Sequence, residues 1–339
     1  MSLIYKLLKP FWLWLFFVLF FSCQKGKDAL SPSELELWTY FNTTNGLPSN
    51  KINCLAEDGY NNIWIGTDKG LIKFDGNNFT KYSTKSGLPS DTILALYWQK
   101  NTGLLLVGTQ NGFGKINFIG KYINIIIQQN LACVKFSQDN QKDRIYCATA
   151  VGLLSYYYNI PDIVTSISDT ISDVIVDGKN NTWFSSPHGV YNINWSENSL
   201  KKIVNNYYKL IFMDSDKNVW LLPYEKSIIT IFRDTTIVYN AIFTGKNNYK
   251  AIIQDQYKNY WISSSNKGVI NFGGGMSKVY NITNSKILSN DINTLLYDSK
   301  HNLWLGSIDK GLMYYQNIKP LQYEFGDGYI SAPSVNSLY

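Results

Sequence analysis

Asp58-Gly59-Tyr60-Asn61-Asn62-Ile63-Trp64-Ile65-Gly66-Thr67-Asp68-Lys69-Gly70-Leu71 returns near the other end of the chain as Asp298-Ser299-Lys300-His301-Asn302-Leu303-Trp304-Leu305-Gly306-Ser307-Ile308-Asp309-Lys310-Gly311-Leu312. Between these copies the position of Trp64 recurs as Leu106, Tyr146, Trp183, Trp220 and Trp261, at intervals of 42, 40, 37, 37, 41 and, to Trp304, 43 residues. The glycine held by Gly70 and Gly311 recurs as Gly112, Gly152, Gly189 and Gly268 and is lost only around Trp220. A second marker, Asn45-Gly46-Leu47-Pro48-Ser49-Asn50, reappears as Ser86-Gly87-Leu88-Pro89-Ser90-Asp91 and, weakened, as Ile287-Leu288-Ser289-Asn290-Asp291. A sustained period near 40 residues marks one supersecondary unit used over and over.

The first copy decodes into four short strands, Ile52 to Glu57, Asn62 to Gly66, Leu71 to Phe74 and Phe79 to Tyr82. Asp58-Gly59 with Asn61-Asn62, then Asp68-Lys69-Gly70, then Asp75-Gly76-Asn77-Asn78 supply the turn chemistry between them,. Four antiparallel strands per repeat is a propeller blade. The expected fold class is therefore all-β, a β-propeller of about seven four-stranded blades. An eighth is left open, because Gly326 to Tyr339 resembles the start of a further, incomplete unit. The first strands are apolar on both faces, as Ile52, Cys54 and Leu55 or Ile292, Leu295 and Leu296 show. Both faces must then be covered by neighbouring blades, with the tryptophans packing blade against blade. Trp38 to Phe41 are expected to join the last blade and close the ring, which removes an open edge.

The repeat resembles the two-component regulator propeller family, whose units read G-L-P-x-[ND], an inner strand, then D-x-x-x-x-[IL]-W-[IL]-G-[TS]-x-x-G-[LI]. The resemblance runs from about Leu37 to Tyr339, strongest in the first and last copies and weakest around Tyr146 and Trp220. It implies a role like that of the periplasmic sensing regions of Bacteroidetes-type hybrid two-component regulators, which often recognise glycans. It covers only the propeller and extends to no kinase or DNA-binding region.

Residues 1 to 22 read as a lipoprotein signal peptide: Lys6 and Lys9, then the apolar Phe11 to Phe21, then Ser22-Cys23,. The apolar core, about a dozen residues or ~18 Å as a helix, is short against ~30 Å of hydrocarbon. Leu19-Phe20-Phe21-Ser22-Cys23 resembles a bacterial lipobox, so Cys23 is the expected lipidation site and residues 23–36 a tether to the propeller at 37–339,. The expected place is the cell envelope, held by the lipid at the periplasmic side or the outer-membrane surface. The formal charge of +6 falls to +4 without Lys6 and Lys9, and no basic run stands out, so nucleic acid is not an expected partner,. Cys133 and Cys147 fall on adjacent strands of one hairpin; an oxidising compartment permits a disulfide there, but two buried free thiols are the expectation.

Few residues carry chemistry. Strand order places His188 in a second-to-third-strand turn and His301 in a first-to-second-strand turn, on opposite faces of the disc, so they cannot share a metal or act as an acid–base pair. Asp214-Ser215-Asp216-Lys217-Asn218 has calcium-loop spacing with Glu225 at the twelfth position, but Val219 stands where the loop needs glycine,. It is read as a hairpin like those at Asp58, Asp177, Asp255 and Asp298. No metal and no cofactor is expected. The resemblance puts ligands on the face carrying the fourth-to-first-strand connections and the second-to-third-strand turns, near the central channel. Its candidate ligand-binding side chains are Asp68, Lys69, Asn111, His188, Lys267, Asp309 and Lys310.

Three functions compete. The favoured one is a non-enzymatic recognition or sensor-like lipoprotein binding a glycan, peptide or partner protein. An enzyme resembling the propeller lyases, or a hydrolase, would need a base and carboxylates gathered around His188. A structural lipoprotein or the truncated sensor region of a hybrid regulator is the third.

Overall fold

Short runs of β-branched and aromatic residues between Asp, Asn and Gly turns satisfy their backbone most simply by pairing with the next run in sequence. The chain does this throughout. The computed structural model describes residues 38–117, 123–124, 131–139, 144–157, 160–163, 169–233, 236–273 and 276–316. The expected signal peptide, Cys23, the tether and the partial C-terminal unit lie outside the described residues. Blade one pairs Ile52–Glu57, Ile63–Thr67, Gly70–Phe74 and Phe79–Tyr82 antiparallel in that order, within one residue of the expected bounds. The same order recurs in blades two, three and four, whose inner strands are Ile93–Gln99, Cys133–Asp139 and Asp173–Val176.

Blades five and six share one long strand, Thr236–Gln254. Its first part pairs with Val219–Arg233 and its last part with Tyr260–Ser264. In blade five, Tyr208 of the inner strand Tyr208–Met213 lies opposite Pro223, yet its hydroxyl is 3.0 Å from Thr230 Oγ1. The straight strand from Pro223 to Thr230 would span ~23 Å. Val219–Arg233 therefore folds back on itself and supplies both middle strands of the blade. This is also the copy whose sequence lacks the turn glycine.

Blade seven takes Ile292–Tyr297, Leu303–Ser307 and Leu312–Tyr315 from one end of the propeller and Trp38–Phe41 from the other. Trp38 lies opposite Tyr315 and Phe41 opposite Leu312, the expected closure. Successive inner strands touch all the way round, and Ile292–Tyr297 meets Ile52–Glu57, so the described residues form a closed ring of seven blades.

The core is divided among the blade interfaces. Trp64 shares a cluster with Leu105, Val107 and Ile116 of blade two, Trp183 with Ile211 and Leu221 of blade five, and Trp304 with Ile63, Ile65 and Phe74 of blade one. Leu106 and Tyr146 occupy the same place toward blades three and four. A side chain at Gly66 or Gly306 would put Cβ only 2.8 Å from Ile93 Cγ2 or 2.6 Å from Ile52 Cγ2 of the adjoining blade. Glycine there lets the next inner strand seat directly on the sheet.

Each tryptophan is also tied to the turn that precedes its strand. Asp58, only 4% exposed, accepts the Trp64 indole N–H at 2.8 Å, the Asn62 side-chain amide, and the backbone N–H groups of Tyr60 and Asn62. Asp177, Asp214, Asp255 and Asp298 repeat the clamp on Trp183, Trp220, Trp261 and Trp304. The fourth residue of the turn is left-handed, with φ of 63° at Asn61 and 66° at His301. The D-x-x-x-N turns are thus Asx turns whose second oxygen is spent on an indole, which the expectation of a simple hairpin missed. Asp214 serves this purpose and also accepts the Tyr260 hydroxyl, while Asp216 pairs with Lys258 at 2.7 Å. Blade two has Gln99 and Leu106 in place of the Asp and Trp, so the indole donor is absent and the buried Gln99 Oε1 has no hydrogen-bond partner among the described residues.

Cys133 and Cys147 are joined as a disulfide, with Cα atoms 6.1 Å apart. This corrects the expectation of two free thiols. A register shift between Cys133 and Lys135 in the paired first and second strands of blade three brings the two side chains together.

Asp58→Ala leaves an indole and an amide without their acceptor and is expected to cost roughly 2–4 kcal/mol in urea unfolding. Burial acts to raise the Asp214 carboxyl, but donors from Trp220, Asn218 and Tyr260 hold it below the usual carboxylate range. A depressed native pKa gives stability that is full above the unfolded value, about 3.9, and is lost as pH falls through the native value. The acid limb of the stability curve should therefore flatten in Asp214→Asn. Deleting residues 38–41 exposes the edge of Leu312–Tyr315 and is expected to make the protein aggregate, read by light scattering.

Candidate functional site

The face with the fourth-to-first-strand connections is built from one repeated device. In the second-to-third-strand turn of blade one, Thr67 Oγ1 donates to the carbonyl of Gly70 at 2.7 Å and accepts the Lys69 N–H at 3.0 Å. Thr109 holds Gly112 and Asn111 in the same way, and Ser307 holds Gly311 and Lys310. Ser186 accepts the His188 N–H at 3.1 Å. The glycine then anchors the turn to a connecting loop: Gly70 N–H donates to Asp91, Gly268 to Asn290 and Gly311 to Asn50. Gly70, at φ 122°, takes a conformation that a side chain would strain,.

Lys69, Asn111, His188, Lys267 and Lys310 each immediately precede the turn glycine. They share a face, as expected, but stand one per blade around the disc and do not converge into one cluster. Asp309 is engaged by the Ser289 hydroxyl at 2.6 Å. Asp68 is half-buried, and its Oδ1 is enclosed without a hydrogen-bond partner. His188 does gain a carboxylate: its Nδ1 is 2.7 Å from Asp169 Oδ2. Burial acts against the Asp169 anion, but donors from His188 and Ser186 hold its carboxyl below the ordinary range. His301 lies on the opposite face against the ring of Tyr297.

The mouth of the channel on this face carries residues the sequence reading passed over. Ladder pairing skips the second residue at the top of six inner strands, leaving bulges at Asn53, Leu94, Val134, Lys209, Lys250 and Asn293, and Ser172 holds the equivalent place in blade four. Several of these are tied inward. Asn53 donates to the carbonyl of Ile93, Asn293 to that of Ile52, and Ser172 bonds the Tyr207 hydroxyl at 3.0 Å. One position further along, Lys135 meets the buried Asp173 at 3.8 Å, and Asp173 also accepts the Ile211 N–H. The signal was present in the sequence as the second residue of each inner strand, but only the ladder shows that this residue bulges.

At the opposite mouth, beneath the first-to-second-strand turns, a cavity of about 540 Å³ is lined by Leu55, Glu57, Tyr97, Trp98, Lys100 and Leu296. It lies across the disc from the expected ligand face. Among the described residues no group of three or more His, Cys, Asp or Glu could hold a metal ion, and no helix is long and apolar enough to cross a membrane.

A closed seven-bladed propeller with a constant turn frame and variable exposed tips is thus the class of protein the geometry defines. One copy of its repeat is similar to a known family: the family model described as Two component regulator propeller matches residues 46–69. A search of curated proteins gives no match. Among solved structures, the extracellular domain of BT4673 from B. thetaiotaomicron, a candidate hybrid two component system, superposes with a TM-score of 0.70 at 18% identity over 84% of this chain and 40% of that one. The corresponding domain of BT3049 gives 0.72 at 16% identity over 84% and 42%. This chain therefore spans about two fifths of the length of those domains. Virginiamycin B lyase from Staphylococcus aureus gives 0.65 at 12% identity over 83% of this chain and 99% of that one. At these identities the likeness is one of fold.

The exposed His188–Asp169 pair is expected to matter little for stability: Asp169→Ala should move the urea midpoint by an amount worth under about 1 kcal/mol.

Proposed function

We propose that this is a non-enzymatic recognition module of the cell envelope, sensor-like in its architecture and held at a membrane by lipid on Cys23. It takes a glycan, peptide or partner protein on the face of the connecting loops. The observation that carries this reading is the division of labour within the turns. Thr or Ser and the glycine recur in six blades, and in four of them Thr67, Thr109, Thr149 and Ser307 donate to the glycine carbonyl, whereas the residue before the glycine is Lys69, Asn111, Val151, His188, Lys267 and Lys310. A rigid frame presenting varied tips serves recognition, because it pre-organises contacts without requiring any one of them for folding. Likeness of fold to extracellular domains of candidate two component systems supports the same reading.

A second reading, catalysis, is favoured by the His188–Asp169 hydrogen bond and by the likeness to the lyase fold. A carboxylate on Nδ1 orients an imidazole for proton transfer. His188 is however 74% exposed on a turn tip, where nothing excludes water from a reacting group. Incubation with virginiamycin B followed by chromatography and tandem mass spectrometry tests it; ring opening without gain of water, lost in His188→Ala, would establish a lyase.

The recognition reading is tested by thermal shift of residues 24–339 against oligosaccharides and peptides. Ligand at 100 times its dissociation constant adds about 2.7 kcal/mol, roughly 4 °C for a propeller of this size. A rise with one ligand class supports recognition. A cooperative transition that no ligand moves argues for a structural role.

A further inference from the structure

We propose that the cavity beneath the first-to-second-strand turns, between blades one, two and seven, is a binding site for a short apolar peptide held as a zwitterion. The peptide's side chains lie among leucines, its ammonium at Glu57 and its carboxylate at Lys100. The site is on the face opposite the connecting loops, so it is additional to the recognition reading above and stands without it.

The cavity adjoins one small residue. Each inner strand sets a side chain opposite the blade's tryptophan position, and in blades two, four, five, six and seven it is Tyr97, Ile175, Phe212, Ile253 and Leu296. Blade one has Ala56 there, opposite Trp64. Ser137 of blade three is also small, but its hydroxyl accepts the Val176 N–H at 2.9 Å and ties it to the next blade. Beside Ala56 the volume of a larger side chain stays open, and the space of about 540 Å³ runs on to Leu55, Leu96 and Leu296.

The walls select the body of the ligand. Leu55, Leu96 and Leu296 come from three different blades, are half-buried and line the cavity, and Tyr97 adds a ring with a single hydroxyl. A volume within the roughly 300–1,000 Å³ of small-molecule sites, walled by hydrocarbon with few polar groups, suits an apolar guest. A saccharide would leave hydroxyls unpaired against the leucines.

The charged groups select its ends. Glu57 accepts the Ser299 N–H at 2.8 Å on one oxygen and the Ser299 hydroxyl at 2.6 Å on the other, which fixes the carboxylate at the cavity wall. A carboxylate offers about four acceptor sites in all, enough for a further donor. Lys100, on the first-to-second-strand turn of blade two, brings an ammonium to the same cavity. This combination selects against a simple anion, which meets Glu57, and against a simple cation, which meets Lys100. A molecule with both charges satisfies both by charge-assisted hydrogen bonds. The two termini of a short peptide, on either side of an apolar body, are such a pair.

The test is calorimetric titration of the protein with the dipeptide Leu-Phe, its N-acetyl and C-terminal amide forms, and the polar dipeptide Gly-Ser. Leu-Phe is expected to bind, to weaken roughly tenfold when either terminus is blocked, and to exceed Gly-Ser by roughly a hundredfold because Gly-Ser has no apolar surface to bury. Leu96→Trp fills the cavity and should abolish binding in a protein that still melts cooperatively, whereas Leu96→Met, which keeps the volume, should bind within a few-fold. Lys100→Met should weaken Leu-Phe and leave the amide form unchanged. Glu57→Gln should weaken Leu-Phe and leave the N-acetyl form unchanged. A folded Leu96→Trp protein that still binds Leu-Phe overturns the cavity and puts the peptide on the connecting-loop face. Free and blocked dipeptides that bind alike overturn the zwitterion as ligand class. If Leu96→Trp does not fold, the exposed Lys100 decides: an equal loss of free and amidated dipeptide in Lys100→Met overturns the site. A folded parent protein that binds none of the four also overturns it, and the recognition reading is then decided separately by the thermal-shift screen.

Discussion

The structure depends on a carboxylate that receives an indole. In five blades an aspartate at the end of the inner strand folds the following turn around one oxygen and takes the tryptophan N–H of the next strand on the other. A buried aspartate is costly unless its charge is met by donors, and a buried indole N–H is costly unless it finds an acceptor. Each cancels the other's penalty. The turn is thereby fixed to the strand, and the apolar face of the tryptophan is delivered to the adjoining blade in a set orientation. Local turn chemistry and long-range packing are the two ends of one side chain.

This linkage explains why the seven apolar clusters fall between blades and not within them. A four-stranded sheet with apolar residues on both faces has no core of its own, so every blade borrows one from its neighbours. The ring therefore has no end blade to cap with polar residues, and Trp38–Phe41 completes the cycle by closing the seventh sheet. Where the clamp is missing, in blades two and three, the interface between them is filled by Leu106, Phe113 and Phe136 and the next one by Tyr146, Ala148, Val174 and Phe184, so apolar packing serves there without it.

Much of this was legible in residues of strong local meaning. Asp58, Asn62, Trp64 and Gly70 mark a turn, a strand and a second turn by spacing alone, and seven copies point to about seven blades with an eighth left open. The clamp was not legible, because spacing shows that Asp58 caps a turn but not that its free oxygen points along the next strand. Blade five was obscured by the loss of its glycine: there Val219–Arg233 folds back on itself, and Thr236–Gln254 continues from blade five into blade six. The disulfide and the Asp169–His188 bond escaped for another reason: Asp169 lies in a connection without repeat markers, and Cys133 sits at a register shift.

The pairing of Trp38–Phe41 with Leu312–Tyr315 also sets a timetable. The first strand of the propeller cannot find its partner until the last has been made. At about 5–20 residues per second of synthesis, the interval is some tens of seconds, during which Trp38, Tyr40 and Phe41 have no sheet to join. Early blades can assemble on one another as they emerge, but the circle is completed by its most distant contact, the kind of contact that slows folding most. A chain built this way has every reason to keep its opening segment in the care of a chaperone, or unfolded for export, until the final blade is available.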